Sequence, residues 1–350
     1  MEPCTATTGQ GIILSGFGGY EKMCVKDCDV PELGEGDVLV QMRACGMNFS
    51  DIYTRQGIYT FKGVAPPFVM GIEGSGDVIN VGSDVRSIKV GDRVVCWSFT
   101  YGMWSTFAKV PEVNCCIMPD DMSYQEGAAI PVNYATAYLT LYGIGGLKRG
   151  QKVLVQSAAG GVGWAATQLC HIMEDVTVFG TSSPSKFGLT QENGVNHPID
   201  YRTKDFVQEV LNIEPKGVDI ILDCLSGNDF ARSRQLLRPL GHIVHVGISN
   251  MISGEKRSAF HILRTWWQTK NVSVLELVNS NQCVCGFNLA TFAEANPEET
   301  NSTVNSIIQM YSAGKIKPRI DSEWKFEEIR SATEHMLNRK NIGKQILLPP

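Results

Sequence analysis

The residues most suited to chemistry stand in the run KVLVQSAAGGVG, from Lys152 to Gly163. Val153, Leu154 and Val155 have the apolar, β-branched pattern of a buried strand, and the turn Ala158, Ala159, Gly160, Gly161, Val162, Gly163 follows without a spacer. Read as A-x-G-x-x-G, the turn lets backbone approach a pyrophosphate at Gly160 and lets a helix pack closely on the strand at Gly163. The helix that opens there offers unpaired N–H groups and a partial positive charge to phosphate oxygens. A second group selects the nucleotide. An acidic residue about 20 positions beyond such a turn would accept hydrogen bonds from a ribose 2′-hydroxyl. Here the sequence is Thr181, Ser182, Ser183, Pro184, Ser185, Lys186, with no carboxylate. The Ser183 hydroxyl and the Lys186 cation suit a 2′-phosphate, which an aspartate would repel. The expected cofactor is NADPH rather than NADH.

A turn of this kind needs alternating strands and helices to hold it. Trp164 to Met173 reads as a helix, and VTVFG (Val176 to Gly180), VDIILD (Val218 to Asp223) and HIVHVG (His242 to Gly247) read as further strands of parallel βαβ units. Upstream the pattern differs. Gly11 to Ser15 and the alternating VLVQMRA (Val38 to Ala44) read as strands. Gly71 through Val95, with glycines at 71, 74, 76, 82 and 91, predicts a small turn-rich β-barrel. Glu327 to Asn338 reads as a helix, and GKQILL (Gly343 to Leu348) as a last strand returning to the first domain. Gly127 to Leu147 and Val153 to Met173 contain no Asp, Glu, Lys or Arg over about the length of a membrane span. Pro131 and Asn133 in the first, and the phosphate loop in the second, favour segments buried within a globular protein.

With 350 residues, 43% hydrophobic and 19% charged, the chain has material for two domains. A formal charge of −5 provides no broad basic surface for nucleic acid, and no Lys/Arg cluster marks an anionic-lipid patch. Eleven cysteines form no regular framework and follow no export signal, so reduced thiols in the cytoplasm are expected. The C-x-C pair Cys283 and Cys285 and the adjacent Cys115 and Cys116 lack a complete ligand set and read as packing residues. The glycosylation patterns at Asn48, Asn271 and Asn301 are silent without export.

Barrel, A-x-G-x-x-G unit and terminal GKQILL together resemble the medium-chain dehydrogenase/reductase superfamily over nearly the whole chain. NFSDIYTRQGIY (Asn48 to Tyr59), VGDRVV (Val90 to Val95) and SAAGGVG are similar to its quinone oxidoreductase branch. RTWWQTKNVSVLELVNSNQCVCGFNL (Arg264 to Leu289), with GFGGYEK near the start, resembles the synaptic vesicle membrane protein subgroup of that branch. The resemblance implies an α/β chain with a GroES-like catalytic domain at 1–132 and 295–350 and a doubly wound parallel-sheet (Rossmann) NADPH-binding domain at 133–294. Zinc-bearing relatives carry G-[IV]-C and G-H-E where this chain has Gly46, Met47, Asn48 and Gly71, Ile72, Glu73. A neutral amide and an isoleucine cannot complete the usual N/S shell, so no metal is expected.

Without a Lewis acid the acceptor must delocalise the negative charge that hydride addition brings, as a quinone or an α,β-unsaturated carbonyl does. The resemblance assigns Asn48 as a hydrogen-bond donor to that oxygen and Tyr53 as a donor of a bond or proton. By motif position it assigns Thr136 to face the nicotinamide and Gly247, Ile248 and Ser249, at the end of HIVHVG, to the cofactor crevice at the carboxyl edge of the sheet, beside the phosphate turn Ala159, Gly160, Gly161, Val162 and Gly163. Tyr201 is assigned to stack on adenine and Arg339 to bridge the 2′-phosphate with Ser183 and Lys186. A homodimer joined at an edge of the nucleotide sheet is implied, with no transmembrane segment. Two alternatives stay open. One is a vesicle-associated or lipid-handling NADPH-binding protein with little turnover. The other is an enoyl-thioester reductase, for which Lys256, Arg257 and Arg264 would meet a carrier phosphate.

Overall fold

The computed structural model describes residues 7–61, 64–252, 254–269 and 272–350; Asn271, in one of the three glycosylation patterns, lies outside them. Chain contacts divide it into two compact units, Met1–Ala135 with Gly254–Arg257 and Ala290–Pro350, and Thr136–Ser253 with Ser258–Leu289.

The first unit begins with β1 (Thr8–Leu14), β2 (Met23–Asp29) and β3 (Asp37–Gly46). Asn48 starts α1 (Phe49–Gln56), and β4 (Phe68–Val69), β5 (Glu73–Val81), β6 (Arg93–Trp97), β7 (Phe107–Pro111) and β8 (Cys115–Ile117) follow. β1 lies between β2 and β4, while β3 pairs antiparallel with both β5 and β7. The VLVQMRA pattern thus becomes the central part of β3, where Val38, Val40, Met42 and Ala44 are buried. α1 stops because Gly57 takes the left-handed conformation at its C-terminus, φ 65°, which costs glycine least. The helix is anchored at that end by Arg55, wholly buried, whose guanidinium lies 4.7 Å from the Tyr20 ring and donates to the Glu255 carbonyl at 2.8 Å. The neighbouring Gln56 amide donates to the Gly254 carbonyl at 2.8 Å, so α1 holds the short segment Gly254–Arg257. Then come α2 (Tyr124–Ala128) and α3 (Pro131–Tyr138), whose last residues, with the π-helical stretch Leu139–Ile144, already belong to the second unit.

The second unit is a parallel α/β sheet. In chain order it contains β9 (Lys152–Val155), α4 (Gly161–Ile172), β10 (Thr177–Ser182), α5 (Phe187–Glu192), β11 (His197–Asp200), α6 (Phe206–Ile213), β12 (Val218–Asp223), α7 (Asn228–Arg234) and β13 (Leu237–His245). α8 (Ala259–Thr269), α9 (Val274–Ser280) and β14 (Cys283–Gly286) complete it. The order β11-β10-β9-β12-β13-β14 is that of a doubly wound fold, with all neighbours parallel. Every residue of β12 is buried, as expected for a strand covered on both faces. Leu154, Phe179, Ile221 and Ile243 from four strands pack with Phe206, Val210 and Phe230 from the helices. β13 starts five residues before the expected His242 and ends at His245, so Gly247 follows the strand rather than closing it.

The chain then returns to the first unit through α10 (Leu289–Ala295), α11 (Pro297–Ser312), β15 (Ile320–Lys325), α12 (Ile329–Leu337) and β16 (Lys344–Leu348). β16 pairs antiparallel with β3, Ile346 facing Gly46 and Leu347 facing Cys45, which extends the larger sheet to β15-β16-β3-β5-β6-β8. GKQILL therefore reaches the strand that leads into Asn48. Of the two charge-free stretches, one becomes α2, α3 and the π-helical segment, the other β9 and α4. No helix among the described residues is long and apolar enough to cross a membrane.

Candidate functional site

The phosphate turn sits between β9 and α4, with Gly160 as the helix N-cap and no side chain capping it. The first-turn N–H groups therefore lack both intrahelical acceptors and a side-chain substitute, which is the condition for binding an anion there. The packing explains the glycine spacing. A Cβ on Gly163 would run into the Ser157 carbonyl and stand 2.7 Å from Ala158 Cα. A Cβ on Gly180 of β10 would stand 2.8 Å from Ala158 Cβ. The turn is also tied to β10, since the Thr181 hydroxyl accepts from Ser157 N–H at 3.0 Å and donates to Gln156 Oε1 at 2.7 Å. Backbone fixed this closely and left without a cap fits a dinucleotide pyrophosphate.

The end of β10 carries the second group. Ser183 precedes the 3-10 turn Pro184–Lys186, its carbonyl accepting from Lys186 N–H at 2.9 Å and its hydroxyl 3.3 Å from that of Ser185. Ser182 is in register with Asp200, so Tyr201, directly after β11, comes to the same edge of the sheet. The Arg202 guanidinium lies 5.9 Å from the Tyr201 ring, a second cation at this edge that the sequence reading passed over. Farther along the edge, Ser249 N–H and Oγ both donate to the Cys224 carbonyl, at 3.0 and 2.8 Å, which holds Gly247, Ile248 and Ser249 beyond the ends of β12 and β13. Thr136 is buried in α3 and its carbonyl accepts from Thr140 Oγ1 at 2.7 Å. Arg339 belongs to the first unit, where it follows α12 with φ 52°.

In the first unit Asn48 joins a buried charged cluster. Its Nδ2 donates to Glu73 Oε1 at 2.6 Å, and its Oδ1 accepts from Lys344 Nζ at 2.7 Å. Lys344 and Glu73 form a salt bridge, with side-chain exposures of 3% and 0%. Glu73 Oε2 accepts from Val132 N–H at 2.7 Å, and Asn48 N–H donates to Asp51 Oδ2 at 2.7 Å. Burial pushes the Asp51 carboxyl up to about 7, against the opposing pull of that N–H and of Lys344. Tyr53, one turn after Phe49 on α1, is buried with its ring edge-on to that phenylalanine at 5.5 Å. Lys344 escaped the sequence reading, although it shares a strand face with Ile346, a register where a lysine must find a partner.

A metal does not fit here. The Asn48 amide is engaged at both ends, Ile72 is a buried hydrocarbon, and an ammonium already faces the carboxylate. Among the described residues no three His, Cys, Asp or Glu side chains gather as a metal site. Cys45 is buried with its thiol donating to the Met103 carbonyl at 3.0 Å, and burial raises its pKa, leaving an unreactive thiol. Cys115 and Cys116 are buried as well, the latter pushed up to about 12, whereas Cys283 is exposed and Cys285 partly so on β14. Lys256, Arg257 and Arg264 are exposed; the first two lie in the first unit and the third on α8.

Comparison with known proteins gives two family matches, an alcohol dehydrogenase GroES-like domain at residues 34–120 and a zinc-binding dehydrogenase domain at 193–347. The mouse synaptic vesicle membrane protein VAT-1 homolog is 45% identical over 97% of this chain and 83% of its own length. The Tetronarce californica synaptic vesicle membrane protein VAT-1 is 42% identical over 95% and 86%. The crystal structure of the human VAT-1 homolog-like protein superposes with a TM-score of 0.85 at 35% identity, covering 98% of both chains. Escherichia coli quinone oxidoreductase, solved with NADPH, matches at a TM-score of 0.86 and 26% identity, over 97% of this chain and all of its own.

Proposed function

The chain belongs to the medium-chain dehydrogenase/reductase superfamily of oxidoreductases, and from that membership we propose that it is a zinc-independent, NADPH-dependent reductase of a quinone or an α,β-unsaturated carbonyl. The observation that carries this reading is the Asn48–Glu73–Lys344 cluster: an amide already held by an ion pair stands at one position where zinc-bearing relatives keep a metal ligand, and the buried Ile72 stands at the other. Such a site has polar donors but no Lewis acid, so it suits an acceptor that spreads its own negative charge.

Ala159 to Gly163 and the uncapped start of α4 would hold the pyrophosphate of NADPH. Ser183, Lys186 and Arg339 would meet its 2′-phosphate, Tyr201 would stack on its adenine, Thr136 would face the nicotinamide, and Gly247 to Ser249 would line the cofactor crevice. Bound there, NADPH supplies hydride. Asn48 orients the acceptor oxygen through a side-chain N–H, and Tyr53 donates a bond or a proton as that oxygen gains charge. Rates of NADPH oxidation against 1,4-naphthoquinone, 2-cyclohexenone and an enoyl thioester test the assignment. Turnover confined to the thioester would replace it with the enoyl reductase, and tight NADPH binding with no turnover would favour a binding protein.

We assign the assembly as a homodimer built on β14. This strand pairs with β13 and closes the described sheet, leaving an open edge. On the two helices that precede β14 in the chain, Phe260, Leu263, Trp266 and Trp267 of α8 and Val274 and Leu275 of α9 are all at least half exposed, with Trp266 at 50% and Trp267 at 64%. Six such side chains present several hundred Å², a large part of the roughly 800 Å² per partner of a standard interface. Light scattering that gives a dimer, reduced to monomer by Trp267→Glu, supports this; a wild-type monomer that floats with phosphatidylserine liposomes would assign the face to a vesicle surface instead.

A further inference from the structure

We propose that Lys344 and Glu73 are positioning residues that fix the orientation of the Asn48 side-chain amide. The inference rests on Asn48 serving as the donor to the acceptor oxygen. An asparagine amide has two ends of nearly equal shape and opposite hydrogen-bonding character, so packing alone does not choose between them. The partners do choose. A lysine ammonium only donates and an ionised carboxylate only accepts. With Lys344 Nζ 2.7 Å from Oδ1 and Glu73 Oε1 2.6 Å from Nδ2, a flipped amide would set N–H groups against the ammonium and an oxygen against the carboxylate. Asn48 is 7% exposed, so water has little access to relieve either clash.

One Nδ2 hydrogen is thereby committed to Glu73, and the second is left with a fixed direction. Glu73 is held in turn by Val132 N–H through its other oxygen, and the Asn48 backbone by Asp51. A donor aimed before the reaction needs no reorganisation when charge develops, which is where such groups contribute most. A buried ion pair adds little net stability compared with an apolar replacement, so its orienting effect is the larger consequence here. The three residues come from β5, the start of α1 and β16, which explains why the terminal strand must run beside β3.

The test compares Asn48→Ala with the paired change Glu73→Gln/Lys344→Met, which removes both charges together and leaves neither buried alone. The readouts are kcat for 2-cyclohexenone, Kd for NADPH, and the side-chain 1H–15N signal of Asn48 in asparagine-labelled protein. The paired change should lower kcat at least tenfold, leave NADPH affinity within twofold, and move the two Nδ2 proton shifts to those of a mobile, solvated asparagine amide. Adding Asn48→Ala to it should lower kcat no further. If Asn48→Ala lowers kcat while the paired variant keeps wild-type kcat and an unchanged amide signal, the positioning role is overturned and the donor role stands. If Asn48→Ala leaves kcat unchanged, the donor role itself falls. Should the paired variant not fold, Glu73→Gln alone carries the same readouts, because it preserves shape while a glutamine whose oxygen accepts from Val132 N–H turns a donor toward Asn48 Nδ2.

Discussion

Replacing Gly163 by alanine tests the phosphate turn at its tightest point. The added Cβ would meet the Ser157 carbonyl and lie 2.7 Å from Ala158 Cα, and both are backbone. Carbon contacts are comfortable at about 3.5–4.0 Å, so the turn and the start of α4 must part by roughly 1 Å. Overpacking of this kind costs about 1–3 kcal/mol. Alanine's better helix propensity at this α4 position returns up to about 1 kcal/mol, for a net loss of about 0–3 kcal/mol. Binding should suffer more than folding, because the same shift misaligns the first-turn N–H donors. Losing one hydrogen bond to a charged group, about 1.5–3 kcal/mol, corresponds to NADPH binding weaker by about tenfold to a hundredfold. Gly188→Ala on α5 is the control, since a Cβ there meets nothing within 4 Å. Thermal unfolding and calorimetric titration with NADPH give both quantities. Wild-type NADPH affinity in Gly163→Ala would refute the account of the turn.

Lys186→Ala should weaken NADPH by about 1–3 kcal/mol, through a lost charge-assisted bond, and leave NADH unchanged; equal loss for both nucleotides in titration would remove Lys186 from the 2′-phosphate. Tyr53→Phe should lower kcat with little change in NADPH affinity, and more for enones than for quinones, because a quinone accepts hydride with less proton assistance. Single-turnover rates unchanged for both classes would make Tyr53 a packing aromatic. Asp51, raised by burial from 3.8 to about 7, keeps its proton in the folded protein between those values while the unfolded chain loses it. Its contribution to stability is present below about 4 and falls as pH rises to about 7, by a few kcal/mol at most. Denaturant titrations should therefore show Asp51→Asn gaining on wild type across that window, and a constant difference from pH 4 to 7 would contradict the raised value.

The nucleotide unit was readable because parallel strands covered on both faces leave apolar runs. VDIILD matches β12 from end to end, and the glycine turn sits at the strand–helix junction where its spacing put it. β13 looks shorter in the sequence because Pro239 and Gly241 interrupt its pattern; in the structure it pairs with β12 at Leu237 and again from His242, with a bulge between that contains the left-handed Leu240, φ 65°. The Asn48 cluster was half legible. Asn48 and Glu73 stand in recognisable motifs, but the ion pair depends on β16 returning beside β3 after most of the chain has intervened. GKQILL is legible as a strand returning to the first domain, but no local pattern encodes its place beside β3 or the meeting of Lys344 with Asn48. The exposed tryptophans of α8 were visible as residues, yet their outward orientation depends on how the helix is laid on the sheet.

The central claim is a zinc-independent transfer of hydride from NADPH to a conjugated acceptor. The direct measurement is single-turnover oxidation of NADPH by 2-cyclohexenone and by 1,4-naphthoquinone, using protein purified without added metal, assayed for zinc and treated with chelator. The account predicts substoichiometric zinc, oxidation of one NADPH per subunit, and rates unaffected by the chelator. Stoichiometric zinc with oxidation abolished on its removal, or NADPH bound but left unoxidised by both acceptors, would contradict it.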